Sequence, residues 1–197
     1  PVSYLVGWFD RDYGRSALVA RKNVTIDAAD LPAGITLAWA GGTPARVLAV
    51  EGNLSLVNVG VTGGHSVAEP LAVANPGDQP WTLARGGAVA VWGVARLRDC
   101  RLFDNHVEGD FDSSRDRGAF GGAVYADIVD MQRCVVSGNS ALGAGAAGGG
   151  IYSVGGAGST RTLSTIDSSA VSGNAIRGLF VYGAGIYSDG GGIGKAN

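Results

Sequence analysis

A repeat of about 35 residues is the feature that most constrains how this chain can fold. Four segments align without gaps, each with apolar or small residues at its first, fourth and sixth positions and a Gly or Asn at its end. They are residues 56–64, 97–105, 131–139 and 166–174. A second motif, rich in Gly, Ala, Val and Ile, recurs at 48–50, 87–91, 122–126, 149–153 and 184–188. Segment ends spaced by 41, 34 and 35 residues indicate stacked repeats.

Composition limits the classes of protein that this repeat can build. The 197 residues suffice for one domain, and the 34 glycines follow no Gly-X-Y period, which excludes collagen. Hydrophobic residues make up 46%, which argues against disorder. The 15 basic and 17 acidic residues form no long block of either sign, so we expect no nucleic-acid partner. No apolar run approaches the roughly 18 residues of a membrane helix, so we expect no membrane span.

The repeated segments predict an all-β fold. They are short, rich in β-branched residues and bounded by Gly, Asn, Asp or Ser, a pattern typical of strands and turns. A chain whose successive turns resemble one another in this way predicts a parallel β-helix of about five coils. Irregular insertions are expected at 66–85, 106–119 and 154–165. We expect one domain over 1–197 with regular repeats at about 45–190, cut from a longer protein, with 1–16 as a possible aromatic cap.

Equivalent residues of successive coils should form ladders that face inward. Four ladders are predicted from the alignment, together with a ladder of asparagines at a turn, where Asn tolerates the left-handed conformation. The inward ladders are Leu56–Leu97–Met131–Ile166, Val59–Cys100–Cys134–Ser169, Val61–Leu102–Val136–Val171 and Val50–Val89–Val124–Ile151–Ile186. The turn ladder is Asn105–Asn139–Asn174.

The motifs resemble those of a known family. The run 121–124, Gly-Gly-Ala-Val, is followed by Val-Ser-Gly-Asn at 136–139, and the pattern recurs at 149–151 and 171–174. These motifs are similar to the repeats of polymorphic outer membrane proteins and of other right-handed parallel β-helix repeat proteins on cell surfaces. The resemblance implies a right-handed β-helix in an extracellular or cell-surface location.

The regular repeat favours a structural, adhesin-like segment without catalytic activity, which presents a rigid repetitive surface to glycans or other proteins. Two alternatives stay open. One is a polysaccharide-active β-helix enzyme (a lyase, hydrolase or epimerase) or a carbohydrate-binding module. The other is a filament former, because uncapped coil ends expose unpaired strand edges. No cofactor is expected, and calcium is the one ion that the sequence leaves open.

Three aspartates and three tyrosines are the candidate residues on the regular coils. Asp99, Asp127 and Asp130 lie nearest the coils and are the catalytic candidates, although no acidic residue recurs from repeat to repeat. Tyrosines also follow the inward Val or Ile in three repeats, and strand alternation points them outward. We expect a stacked row that either binds a ligand or covers a sheet edge. The row is Tyr125, Tyr152 and Tyr187.

Two further sets of residues offer a metal site and a disulfide. Acidic residues crowd the stretch 106–117, where their oxygens could bind calcium or simply form a solvated loop. They are Glu108, Asp110, Asp112 and Asp116. Cys100 and Cys134 occupy the same ladder one repeat apart, so they are either a disulfide between coils or two buried thiols that pack as small apolar groups.

Overall fold

Strands joined by turns and bends make up the described part of the chain. The computed structural model describes residues 8–10, 14–68, 84–111, 118–155, 163–189 and 193–194, with backbone alone for the first and last ranges. No helix occurs in these ranges, which confirms the all-β prediction. It follows that these ranges hold no helix of the length and apolar character needed to cross a membrane.

The described residues form 24 strands, and all but β2, β10 and β14 have only two to five residues, because turn residues such as Gly, Asn, Asp and Ser follow closely. In chain order they are β1 (Trp8–Asp10), β2 (Gly14–Ala20), β3 (Val24–Asp27), β4 (Ile35–Ala38), β5 (Arg46–Val50), β6 (Leu54–Val57), β7 (Val59–Thr62), β8 (His65–Val67), β9 (Ala84–Arg85), β10 (Val89–Arg98), β11 (Arg101–Phe103), β12 (His106–Glu108), β13 (Ala119–Phe120), β14 (Val124–Gln132), β15 (Val135–Ser137), β16 (Ser140–Leu142), β17 (Gly145–Ala147), β18 (Ile151–Ser153), β19 (Ser164–Asp167), β20 (Ala170–Ser172), β21 (Ala175–Arg177), β22 (Phe180–Tyr182), β23 (Ile186–Ser188) and β24 (Ile193–Gly194).

These strands pair into four sheets. Sheet 1 has two rows: the first contains β2, β5, the start of β10, the start of β14, β18 and β23, and the second contains β3, β6, the end of β10, the end of β14, β19 and β24. Sheet 2 is β4, β7, β11, β15 and β20; sheet 3 is β8, β12, β16 and β21; sheet 4 is β9, β13, β17 and β22. All pairs are parallel except β1 with β2.

The chain visits the sheets in the same order in each repeat. From β5 it passes through the second row of sheet 1, then sheets 2, 3 and 4, and returns to the first row of sheet 1 as β10. The next passage begins at β10, and the two after it begin at β14 and β18. Each strand therefore lies beside its counterpart from the neighbouring repeat, in an arrangement of stacked parallel sheets.

The interior ladders are confirmed with one correction. Leu97 pairs with Leu56 and Met131, and Leu102 pairs with Val61 and Val136, as the alignment predicts. These side chains are buried in one core cluster, and the burial of each stabilises the folded state by about 1.5–3 kcal/mol. The first member of the fourth ladder was predicted wrongly, because Val89 pairs with Leu48, not with Val50. A shift of two residues keeps the same side chains inward, so the hydrophobic pattern does not distinguish the two registers.

The corners between sheets repeat as faithfully as the strands. The turn from sheet 1 to sheet 2 places one non-glycine residue per repeat in the left-handed region, with φ between 45° and 56°. These residues are Asn58, Asp99, Arg133 and Ser168. At the return from sheet 4 to sheet 1 the corresponding residue is a glycine with positive φ, such as Gly121. A Cβ at Gly121 would overlap the carbonyl oxygen of Val124, so this corner requires glycine.

A ladder of asparagine side chains joins sheets 2 and 3. The backbone N–H of Asn105 donates to Oδ1 of Asn139 at 3.0 Å, and the N–H of Asn139 donates to Oδ1 of Asn174 at 3.0 Å. The Asn139 amide also donates to the carbonyl oxygens of Leu102 and Ser137. Asn139 is fully buried, so these bonds satisfy backbone groups that water cannot reach.

Replacing Asn139 with Ala should destabilise the protein by about 2–3 kcal/mol, because several buried polar groups lose their partners at once. Asn174→Ala is the matched control: it removes the next amide of the same ladder at a partly exposed position, where water can replace the lost bonds. We expect about 1 kcal/mol or less for that variant. Urea unfolding followed by far-UV circular dichroism measures both, and equal losses would contradict the buried role of Asn139.

Candidate functional site

Two histidines and a glutamate converge where sheet 3 begins. His65 is the first residue of β8 and His106 the first of β12, and the two are register partners in adjacent strands. Glu108 lies two residues after His106, hence on the same face of β12. Ser66, which follows His65 in β8, and Val107, which separates His106 from Glu108 in β12, point to the other face and are buried. Strand alternation and repeat register together place all three polar side chains on one surface.

The functional atoms of this cluster lie close together. Oε2 of Glu108 is 3.4 Å from Nε2 of His65 and 3.8 Å from Nε2 of His106. The imidazole rings are 4.8 Å apart between centroids and tilted by 59°, so they are not stacked face to face. On its other side, Nδ1 of His106 contacts the hydroxyl oxygen of Ser140 at 2.6 Å. Each of the three side chains is partly buried.

The electrostatics of the cluster favour a neutral imidazole at His106. Burial lowers the pKa of His106, the neighbouring His65 lowers it further, and Glu108 opposes both effects. A neutral imidazole has one nitrogen that donates and one that accepts. If the Nδ1–H of His106 donates to Ser140, the Nε2 lone pair faces Glu108 and His65.

The sequence analysis did not identify this cluster, although a signal was present. His65 directly follows the aligned segment 56–64, and His106 directly follows 97–105. The repeat alignment therefore already placed the two histidines side by side. Their charged neighbourhood was assigned to a loop instead, and for 106–108 that assignment is wrong, because Val107 packs inward and makes these residues a strand.

The residues predicted to bind calcium are only partly described. Glu108 belongs to β12 and faces the histidines, and Asp110 follows two residues later with its backbone oxygen accepting from the N–H of Ala144. Asp112 and Asp116 lie outside the described residues. A calcium site in this stretch stays a prediction.

The tyrosine row is stacked as predicted, and two of its three rings are buried. Tyr125 and Tyr152 are register partners whose rings lie 5.4 Å apart and 5° from parallel, and Tyr187 continues the row. Tyr125 and Tyr152 are each only 8% exposed, in a second apolar cluster with Phe120. Of the two alternatives for this row, the burial of these two rings favours packing over ligand binding, and the ring of Phe120, from the neighbouring sheet 4, packs edge-on against that of Tyr152.

The two cysteines are free and buried. The backbone N–H of Cys100 lies 3.4 Å from Sγ of Cys134, and the Cys134 thiol lies 3.3 Å from the carbonyl oxygen of Leu97. Contact with the Cys134 thiol, together with burial, raises the pKa of Cys100. Both thiols are only 1% exposed, so reactants cannot reach them, and they fill the core as small apolar groups.

The structure does not bring the three candidate aspartates together. Asp99 is bound by the guanidinium of Arg133 through two contacts of 2.7 Å, and Asp130 accepts from the hydroxyl of Thr165 at 2.6 Å. Asp99 lines a groove on sheet 2, whereas Asp130 lines one on the second row of sheet 1. Asp127 is half-buried, and burial raises its pKa against the opposing charge of Arg85.

We expect the free energy of unfolding to fall as the pH rises above about 10, the pKa of tyrosine in unfolded chains. Burial raises the pKa of Tyr152, with a further rise from Asp189, which accepts a hydrogen bond from its hydroxyl. The folded state therefore keeps a proton that the unfolded state releases, and each further pH unit favours unfolding until the folded pKa is reached. In Tyr152→Phe the decline should be shallower. Urea unfolding between neutral and alkaline pH tests this, and identical declines would contradict it.

No protein-family model, no curated protein and no solved structure matches this chain.

Proposed function

We propose that this chain is a segment of a right-handed parallel β-helix that serves as a non-catalytic structural element, adhesin-like, outside the cell or on its surface. The observation that carries the proposal is the constant register: strands of the same sheet pair in parallel with their counterparts in the next repeat, again and again. A chain that returns to each sheet in the same order suits a continuous coil with five strands per turn.

Rigidity follows from this architecture. Parallel pairing holds each repeat to the next along four sheets, and the interior between them is filled by fully buried Leu, Val and Met side chains. The buried asparagine ladder adds directional bonds that tolerate little sliding. A structure held this way presents its outward side chains at fixed spacing, which suits a stalk, coat or adhesive spacer.

The outward polar residues favour a structural over a catalytic role, because they bind one another across repeats. Asp99 pairs with Arg133, Asp130 accepts from Thr165, and Gln132 donates to Asp167. General acid–base catalysis needs acidic groups that converge on one substrate. Here Asp99 and Asp130 line different grooves, and each is engaged with a partner in the adjacent repeat.

A second candidate function is the binding of a polysaccharide chain. A groove of about 400 Å³ on the second row of sheet 1 is lined by polar side chains that can donate to and accept from sugar hydroxyls. They include Arg96, Arg98, Asp130, Gln132 and Asp167. Other proteins, or a second copy stacked end to end, are further partners compatible with the exposed apolar strand β22.

The proposed β-helix predicts that one whole repeat can be removed. Deleting residues 101–134 joins Cys100 to Val135, which is the register partner of Arg101, so every later strand keeps its place. We expect a folded protein with reduced stability and unchanged β-type circular dichroism. The control removes half as much, residues 101–117, which takes away β11 and β12 among the described strands but leaves β13 and the start of β14 in place. We expect this control to unfold. Unfolding of both variants would reject the coil.

The structural role predicts surface exposure without turnover. In cells that make the full-length parent protein with an internal epitope tag, protease added to intact cells should remove the epitope. The purified chain should show no lyase or hydrolase activity on acidic polysaccharides. Turnover that disappears in Asp99→Asn or Asp127→Asn would replace the structural role by an enzymatic one, and glycan-array binding that disappears in Arg98→Ala would favour the second candidate.

A further inference from the structure

We propose that His65, His106 and Glu108 bind a divalent transition-metal ion of the zinc class, which clips two neighbouring repeats together where sheet 3 begins. The site lies apart from the polar grooves and does not depend on the proposed structural function. Within the described part of the chain, these residues form a group whose ligand atoms all lie within 4.8 Å of one another.

The distances suit a shared ion. Zinc bonds to imidazole nitrogen and carboxylate oxygen at about 2.0–2.2 Å, which places tetrahedral ligand atoms roughly 3.3–3.5 Å apart. The Glu108 oxygen lies 3.4 Å and 3.8 Å from the two histidine nitrogens. Binding requires the widest separation, which is at most 4.8 Å, to close to that spacing, and the three side chains that would rotate are only partly buried.

The buried Nε2 of His65 lacks a hydrogen-bond partner within the described part of the chain, and this favours a bound ion. This atom is shielded from solvent and has no hydrogen-bond partner among the described residues, even though Glu108 is nearby. A buried polar atom without a partner carries a desolvation cost and calls for an explanation. An ion at the centre of the cluster would supply that partner.

Ser140 provides the outer support that metal-bound histidines usually have. A ligating imidazole commonly donates its second N–H to a neighbouring oxygen, which holds the ring in the orientation that ligation requires. Ser140 lies one repeat beyond His106, directly paired with it, and its hydroxyl contacts Nδ1 at 2.6 Å. This contact leaves Nε2 of His106 available to the ion.

The repeat itself shows that packing does not require histidine here. The position held by His65 and His106 is occupied by Ser140 and Ala175 in the next two repeats. The position of Glu108 is held by Val67, Leu142 and Arg177 in the other repeats. The polar cluster is therefore specific to one junction between repeats and is not part of the common framework.

The donor set selects the class of ion. Two imidazoles and one carboxylate suit zinc and its first-row neighbours, whereas calcium takes six to eight oxygen ligands. Three protein ligands leave one coordination position for water or an external group. Because the ligands come from β8 and β12, binding to the folded state alone would stabilise the junction between their repeats.

The test uses tag-free protein stripped of metal by a chelator. Calorimetric titration with Zn²⁺ should show one ion bound per chain, and Co²⁺ should produce the visible absorption of a four- or five-coordinate site. The chain has only two histidines, so both imidazole signals in a nitrogen-detected NMR spectrum report on the cluster. Both should shift on adding Zn²⁺, and the melting temperature should rise.

Substitutions distinguish the residues that bind the ion from those that do not. His65→Ser, His106→Ser and Glu108→Gln should each weaken Zn²⁺ binding more than about 100-fold, beyond the 10–100-fold expected when an outer partner such as Ser140 is changed to Ala. Glu51→Gln removes a carboxylate that pairs with Arg21 elsewhere and should bind as wild type does. Circular dichroism without metal identifies any variant that fails to fold, and His65→Ser and Glu108→Gln suffice if His106→Ser does not fold.

Three results would overturn the proposal. The first is the absence of both heat and Co²⁺ absorption at millimolar metal. The second is Zn²⁺ binding that survives His65→Ser and Glu108→Gln, or that is lost in Cys100→Ser instead. The third is displacement of Zn²⁺ by an equal concentration of Ca²⁺, which would assign the site to oxygen ligands.

Discussion

In-register parallel pairing between neighbouring repeats is the constraint on which the rest of this structure depends. When each strand lies beside its counterpart, a residue type that recurs at one position becomes a continuous row in space. The register alone therefore places the side chain of Leu97 between those of Leu56 and Met131. The same geometry stacks Tyr125 on Tyr152 with nearly parallel rings. Apolar rows bury one another, and the hydrophobic effect acts along the full length of the stack.

The same register also stacks polar residues, whose burial carries a desolvation cost unless they find hydrogen-bond partners. A buried amide such as Asn139 is stable only because the next repeat supplies another amide at the right distance, so the ladder satisfies itself. At the surface the same rule brings Arg133 onto Asp99 and His106 beside His65. In a repeated fold, residues at equivalent positions of neighbouring repeats are thus in contact. Where one repeat carries a different residue type at such a position, the contact becomes a local polar site. The histidine–glutamate cluster is such a departure, since serine and alanine hold the histidine position in the repeats that follow.

The success and failure of the sequence-based predictions follow from the same physics. Residues with one strong preference were assigned correctly: Leu102 and Val136 inward, and Asn139 at a turn. The left-handed conformation expected for that asparagine is adopted by the residue before it, Gly138. Val50 was placed two residues out of register, because a two-residue slip leaves the inward face unchanged. The rings of Tyr125 and Tyr152 point away from the main core, as alternation predicts, but alternation does not reveal that Phe120 from another sheet covers them. His65 and His106 were overlooked although the alignment had already paired them.

The sequence by itself determined that the chain is all-β, repeats about every 35 residues, and carries defined inward rows, because these properties depend on local alternation and on periodicity along the chain. The repeat alignment also pairs outward residues of adjacent repeats, such as His65 with His106. Only the tertiary structure decided how close their functional atoms lie and which residues of different sheets meet. Burial of Tyr152, the bond between Asp99 and Arg133, and the convergence of His65, His106 and Glu108 depend on side-chain directions and on contacts between sheets. Residues 34 to 43 positions apart in the chain come within 4 Å there, and pattern along one strand carries no information about such distances.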